Sequence, residues 1–320
     1  MGRFPSSDPS LIRKKIVMHV EKPEHQTVRQ LAARFVAALP SQLHRIKAFQ
    51  DNYLWILQDP ASSRCWVVDP GDAAVIVEAA EAKALEIDGI LLTHHHPDHQ
   101  GGVDALIAWA AGQGRRLKIY GPQDARIHHD AVAAGEGDRL DLGFAQARVM
   151  AVPGHTKSHI AYHLEREKIL FCGDCLFAAG CGRIFEGDPA QMLESLARLC
   201  ELPDDSLICC AHEYTLSNLR FARAAYPTHE LIQARMLEAE TLRAQDMPTV
   251  PSLLIHELQS NPFLLGLVPA SPLDAPTTCV LPDRFGKLRP AQELLGDLHS
   301  QAARIDRFAA LRSWKNEFRA

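Results

Sequence analysis

Residues 93–102 read THHHPDHQGG, which places four histidines and an aspartate within six positions. Imidazoles and carboxylates are the side chains that bind divalent cations such as zinc, iron or manganese. His94 and His96, two apart, would project to one side of an extended segment. Asp98 and His99 follow Pro97, which argues against a continuous helix, so the cluster is expected on a loop leaving a buried strand. One tetrahedral ion cannot easily use all four side chains of so short a loop, whereas two adjacent ions could share them. A solvated histidine-rich turn would account for the stretch on its own. Three later positions favour ions: His155 in VPGHT, Asp174 in LFCGD and His212 in LICCAHEYT each follow an apolar run.

Those positions need strands to aim them. HRIKAF, YLWILQ, RCWVVD, GILLT, RLKIYG, AQARVMAV, HIAYHL, KILFCGD and SLICCAH read as short strands. AAVIVEAAEAKALEI, VDALIAWAAG and PAQMLESLARLCEL read as helices, the last with Pro189 near its start. Strands mixed with helices predict sheets covered by helices. Beyond residue 213 the expected strands vanish: SNLRFARAAY, HELIQARMLEAETLRAQ, SLLIHELQ and the stretch ending in WKNEF are helical, and residues 266–290 are a proline-rich loop. The expected division is therefore an N-terminal extension (1–42), an α/β unit (43–213) and a helical unit (214–320). In the extension, Val28, Leu31, Ala32, Phe35, Val36 and Leu39 recur at helical spacing, and Met18 is a candidate alternative start.

The chain has 320 residues, 47 % hydrophobic and 23 % charged, enough apolar material for a substantial core. A net charge of -5 gives no pull toward nucleic acid or anionic membrane, and no apolar run is long enough to span a bilayer. The eight cysteines form no disulfide-like framework, which reads as reduced thiols in the cytosol. Cys172 and Cys175 form one C-x-x-C without a second pair, so a zinc ribbon is not expected.

THHHPDH resembles the T-H-x-H-x-D-H motif of the metallo-β-lactamase superfamily. VPGHT, GD and AHEYT follow in the order found there, and DNYLWIL, VVDPGD, GCGRIFEG, SNPFL and LRSWKNEF are similar to the glyoxalase II, or hydroxyacylglutathione hydrolase, family from about Ile46 onward. The resemblance implies an αββα sandwich followed by a smaller α-helical domain. It implies that His94, His96 and His155 bind one ion, that Asp98, His99 and His212 bind a second, and that Asp174 bridges them. Zinc is the first expectation for both, with iron or manganese as alternatives. His95, His159 and His163 match no ligand position.

Such a pair of ions would bring a bridging water toward neutral pKa, with Asp174 and Asp98 as the carboxylates around that hydroxide. A thioester suits it, because a thiolate leaves without a dedicated proton donor. The substrate implied is a small-molecule glutathione thioester, S-D-lactoylglutathione, with no nucleic acid or membrane partner and a monomeric protein. By the same resemblance Arg183, Phe185 and Tyr214 contact the tripeptide, and Arg312 and Lys315, three apart on one helical face, receive its carboxylates. Phe185 stands where some relatives carry tyrosine, and Leu265 where arginine is frequent. Asp69, in VVDPG, is expected to orient a ligand histidine, although an Asp-Pro-Gly turn explains it equally. The rival readings are a mononuclear iron persulfide dioxygenase of the same fold, an RNA-processing nuclease, and a metal-free scaffold.

Overall fold

The computed structural model describes residues 35–127, 129–265, 267, 278–295 and 300–319. Strands β1 (Leu43–Ala48), β2 (Asn52–Gln58) and β3 (Arg64–Val68) run antiparallel. The parallel strands β4 (Glu86–Leu91), β5 (Lys118–Pro122) and β6 (Val132–Ala134) then complete a first sheet in sequential order. Helix α1 (Ala73–Ala82) starts where the Asp72 carboxylate accepts from the Ala74 amide. It ends at Ala82, short of the expected end at Ile87, and Glu86 and Ile87 open β4 instead. Helix α2 (Pro97–Gln100) is a single turn and α3 (Val103–Gly112) follows it.

The second sheet joins β7 (Arg139–Asp141), β8 (Gln146–Ala151), β9 (Ile160–Leu164), β10 (Ile169–Gly173) and β13 (Leu207–Cys210). Between β10 and β13 lie the two-stranded hairpin β11 (Leu176–Phe177) and β12 (Gly180–Cys181), then helix α4 (Pro189–Leu199). That helix starts with a reciprocal Asp188–Gln191 capping box and Pro189 in its first turn.

One core fills the space between the sheets and extends under the C-terminal helices; a second lies between the first sheet and helices α1 and α3. Strand β2 is buried almost throughout because its two faces serve different cores. The sheets are stitched together at the end where the histidines gather. Trp55 donates to the Cys210 carbonyl at 3.0 Å, Tyr162 to the Leu92 carbonyl at 2.7 Å, and Asn52 bridges His212.

The C-terminal region holds α5 (Thr215–Ala225), α6 (Glu230–Ala244), β14 (Ser252–Leu253), α7 (Leu254–Ser260), β15 (Val280–Pro282), β16 (Leu288–Pro290), α8 (Ala291–Leu295) and α9 (Gln301–Glu317). Strands therefore do not vanish after residue 213. β14 lies against β13 at the edge of the second sheet, and β15 and β16 form a hairpin inside the stretch expected as loop. The helical spacing that includes Phe35, Val36 and Leu39 also fails where it is described. Phe35 to Leu39 are not helical: Val36 bridges Ser252, and the Ala37 amide donates to the Pro251 carbonyl. Pairing with a sheet edge outweighs a weak periodic preference here. The rest of the expected N-terminal helix, and Met18, fall outside the described residues. Among the described residues, no helix is long and apolar enough to cross a membrane.

Candidate metal centre

Strand ends from both sheets deliver the seven candidate ligands to one place. Leu92, Thr93 and His94 continue from β4, His155 follows β8, Asp174 follows β10 and His212 follows β13. The expected loop after His96 is instead the single turn of α2: Pro97 occupies its first position and starts it, carrying Asp98 and His99 inward. The turn lies so close to the DPG corner that a Cβ on Gly71 would sit 1.8 Å from the Asp98 carbonyl oxygen. At Gly173 the backbone takes φ +47° and a Cβ would sit 2.4 Å from Thr93 Oγ1, so glycine lets Asp174 turn toward the histidines.

Four of the five candidate ligand imidazoles, all but His96, are oriented by a partner on the far nitrogen. His155 Nδ1 donates to the Arg183 carbonyl at 2.7 Å, and His212 Nδ1 to Asp51 at 2.9 Å. His99 Nδ1 donates to Asp69 at 3.0 Å. Thr93 gives its hydroxyl proton to Asp69, so it receives from His94 Nδ1, 3.0 Å away. The opposite nitrogens are thereby turned inward to face one another. His94 Nε2 and His155 Nε2 both lie 3.0 Å from His96 Nδ1, and one proton cannot serve both. Around the second set, Asp98 Oδ2 lies 3.5 Å from His99 Nε2 and 3.4 Å from His212 Nε2.

Asp174 divides its oxygens between the two sets. Oδ2 is 3.4 Å from His155 Nε2, while Oδ1 is 3.4 Å from His99 Nε2 and 3.3 Å from His212 Nε2. His99 Nε2 and Asp174 Oδ1 are buried without a hydrogen-bond partner. Buried lone pairs pointed at each other are costly unless a cation separates them. Metal–nitrogen bonds of about 2.0–2.1 Å in a tetrahedron put donors roughly 3.3 Å apart, which is the spacing seen. His94, His96 and His155 form one group able to hold an ion, and Asp98, His99 and His212 another; His94, His99 and Asp174 form a third overlapping them. The donor set therefore fits divalent cations.

The two sets differ electrostatically. Burial takes His94 well below its ordinary pKa and His96 down to about 4, and facing imidazoles add to both shifts. Burial pulls His99 the same way, but Asp174 and Asp69 outweigh it and carry His99 to about 10. Burial opposes ionisation of Asp174, yet attraction from His212 and His99 holds its carboxyl below the usual range.

Asp69 thus touches both His99 and Thr93, joining the two loops. Phe185 is 59 % exposed with its ring edge-on to His96 and His155, and the exposed Arg183 guanidinium lies 5.8 Å from that ring. Tyr214 stacks on His212 at 4.7 Å. Arg312 differs from a free basic face: it is buried, donating to the Cys181 carbonyl at 2.8 Å and to Asn316 at 3.1 Å. Lys315 donates to Ser217 Oγ and its carbonyl at 3.0 Å, and burial lowers its pKa to about 8.

Several participants carry no sequence signal that separates them from ordinary turn or core residues. Asp51 orients His212, and Asn52 donates to Asp98 at 3.0 Å; both sit in a QDN corner that reads as a turn. They also border a cleft of about 300 Å³ shared with Lys47, Phe49, Glu213 and Arg243. His159 stacks on His94 at 4.6 Å and accepts from the Asp174 amide at 3.1 Å. His95 stands outside the cluster between Asp124 and Glu186.

Comparison with known proteins agrees with this geometry. The profile described as "Metallo-beta-lactamase superfamily" matches residues 52–212, and that described as "Hydroxyacylglutathione hydrolase C-terminus" matches residues 213–318. Curated relatives named hydroxyacylglutathione hydrolase include one from Hahella chejuensis, 44 % identical over 275 residues, covering 85 % of this chain and 98 % of that one. Another, from Dechloromonas aromatica, is 45 % identical over 280 residues, with 85 % and 98 % covered. A third, from Pseudomonas putida, is 44 % identical over 280 residues, with 87 % and 99 % covered. With a donor cluster at the edge of two facing sheets and matches that run through the helices behind it, the chain belongs to the hydroxyacylglutathione hydrolase family, within the metallo-β-lactamase superfamily.

Proposed function

We propose that this protein hydrolyses S-(2-hydroxyacyl)glutathione, S-D-lactoylglutathione foremost, to glutathione and the free 2-hydroxy acid, D-lactate in that case. This is the second step of methylglyoxal detoxification. The observation that carries the reading is the division of Asp174, one oxygen toward each histidine set. His94, His96 and His155 would hold one divalent ion, Asp98, His99 and His212 the other, and Asp174 would contact both. Zinc is the first choice for each, with iron or manganese as alternatives. Bound there, the ions supply Lewis acidity and a water acidified toward neutrality.

The chain's own residues do the rest. Asp51, Asp69, Thr93 and the Arg183 carbonyl keep the imidazoles in the tautomer that turns a lone pair inward. Asn52 holds the Asp98 oxygen that faces His99 and His212. Arg183, Phe185 and Tyr214 form the rim on which the tripeptide lies, with Lys315 for a carboxylate and Arg312 contributing charge from beneath. The departing glutathione thiol has an ordinary pKa of about 8.5, so its thiolate leaves without a general acid. The division of labour is between a catalytic unit, residues 43–213, and a helical unit, residues 214–320, that adds the glutathione contacts.

The mononuclear persulfide dioxygenase reading leaves Asp98, His99 and His212 without a role, and the relatives at 43–45 % identity do not favour it. The test is turnover of S-D-lactoylglutathione by purified protein, with metal content measured on the same sample. Hydrolysis with close to two metal equivalents is expected. Oxygen uptake with glutathione persulfide and no thioester hydrolysis would reverse the assignment.

A further inference from the structure

The hairpin β11–β12 links Asp174 to Arg183; Cys172 of β10 donates to its Leu176 carbonyl, but most of the side-chain hydrogen bonds to its backbone come from outside the two sheets. Its backbone is held by side chains of the helical region. Asn261 Nδ2 donates to the Phe177 carbonyl at 3.2 Å and the Gly180 carbonyl at 2.9 Å. Asn218 donates to the Ala178 carbonyl at 3.0 Å, and the Ala179 amide donates to Glu257 Oε2 at 2.8 Å. Ala179 sits at φ +54°, a conformation a non-glycine residue keeps only when its surroundings impose it. Gly180 is pressed against Asn218, since a Cβ there would lie 2.4 Å from Asn218 Nδ2.

Glu257 is completely buried, as are Asn261 and Ser260. Its other oxygen receives Arg235 at 2.5 Å and Ser252 at 2.5 Å. A buried, fully partnered network of this kind defines one geometry rather than several. What it defines lies at the metal centre. The Phe177 ring is edge-on to His212 at 5.7 Å and to Tyr214 at 5.3 Å, and three residues beyond Gly180 comes Arg183, whose carbonyl orients His155. Asp174 itself is fixed from the sheet side, through its amide to His159.

We propose that Glu257 and Asn261 are positioning residues: by fixing the Leu176–Cys181 hairpin they set where Phe177, Tyr214 and Arg183 meet the glutathione moiety. This rests on the glutathione thioester reading above. Because Asp174 is anchored through His159 and His212 through Asp51, both outside the hairpin, the effect falls mainly on substrate binding rather than on the ions. The SNPF stretch thereby acquires a role that its sequence does not suggest.

The experiment compares Asn261→Ala with wild type in fold, metal content and steady-state kinetics on S-D-lactoylglutathione. The expected result is a folded protein with wild-type metal content, KM raised about tenfold and kcat changed by less than about threefold, the pattern of lost uniform binding. Should Asn261→Ala not fold, Asn218→Ala, which removes the Ala178 hydrogen bond and the packing against Gly180, carries the comparison with a KM rise of about threefold. A folded variant with wild-type KM makes the network purely structural and overturns the proposal. So does a fall in kcat with lost metal at unchanged KM, or the failure of both variants to fold. A wild type that does not hydrolyse the thioester overturns the functional reading and this proposal with it, whereas an active wild type with an unaffected variant overturns this proposal alone.

Discussion

Two of the places that bury ionisable groups among the described residues treat them in opposite ways. At Arg235 and Glu257 both terminal guanidinium nitrogens and both carboxylate oxygens have partners: guanidinium to carboxylate and Ser260, carboxylate to Ser252, Asn261 and the Ala179 amide. At the strand ends the outer nitrogens are partnered in the same careful way, but the inner faces of His99 and Asp174 are left without any. Both regions are well packed, so the difference is not loose construction. A protein interior tolerates facing, unpartnered lone pairs where something from outside is meant to sit between them. The closed network stabilises a shape; the open one waits for cations.

Breaking the open region where both sets depend on it has the largest effect. Asp174→Ala should cut turnover on the order of a thousandfold or more, because several kcal/mol of electrostatic stabilisation would depend on the ions it is proposed to bridge. It should also release at least one metal equivalent, read by elemental analysis of the same sample. Retention of both metals and of activity would mean that the division of its oxygens has no consequence.

The closed region should fail in stability instead. Glu257→Ala leaves Arg235 buried without its counter-charge, which costs about 3–5 kcal/mol. A lower urea midpoint with metal still bound is the expected result, and an unchanged midpoint would show that the pair contributes nothing net. The Asp51→Ala change tests whether the outer partners matter to the open region. Loss of the carboxylate on His212 should weaken one metal equivalent by about 10–100-fold in a chelator competition, leaving the other nearly unaffected. The smallest effect belongs to Arg312→Ala, expected to raise KM about three- to tenfold with little change in kcat. An unaltered KM would remove Arg312 from the glutathione face.

The same contrast governs what could be read before any coordinates. The donors are legible because a ligand leaves a trace of residue type and place: histidines two apart, a glycine before Asp174, a strand before each. The runs that carry them predict sheets covered by helices, and the family resemblance supplies the αββα order of the layers. Their orienting partners leave no such trace. Asp51 and Asn52 look like any polar corner, and only the bridge between Asn52 and His212, residues far apart in the chain, makes them neighbours of the centre. Arg235 lies in a charge-rich helix and Glu257 in the short α7, where nothing local distinguishes a buried pair from a solvated face. The strands β14 to β16 are two or three residues long, too short for periodicity to register. The expectation of helix at Phe35–Leu39 fails for a related reason: its true partner, Ser252, is remote in sequence.

All eight cysteines are buried and unpaired, and burial raises the pKa of every one. An activated acyl group passes readily to any thiolate it meets, and only the ionised sulfur attacks. A catalyst of the proposed reaction would work among acylated thiols and be at risk of acylation by its own cargo. By keeping every sulfur protonated and out of reach, the native chain offers that cargo no competing acceptor, and self-inactivation must wait until the molecule opens.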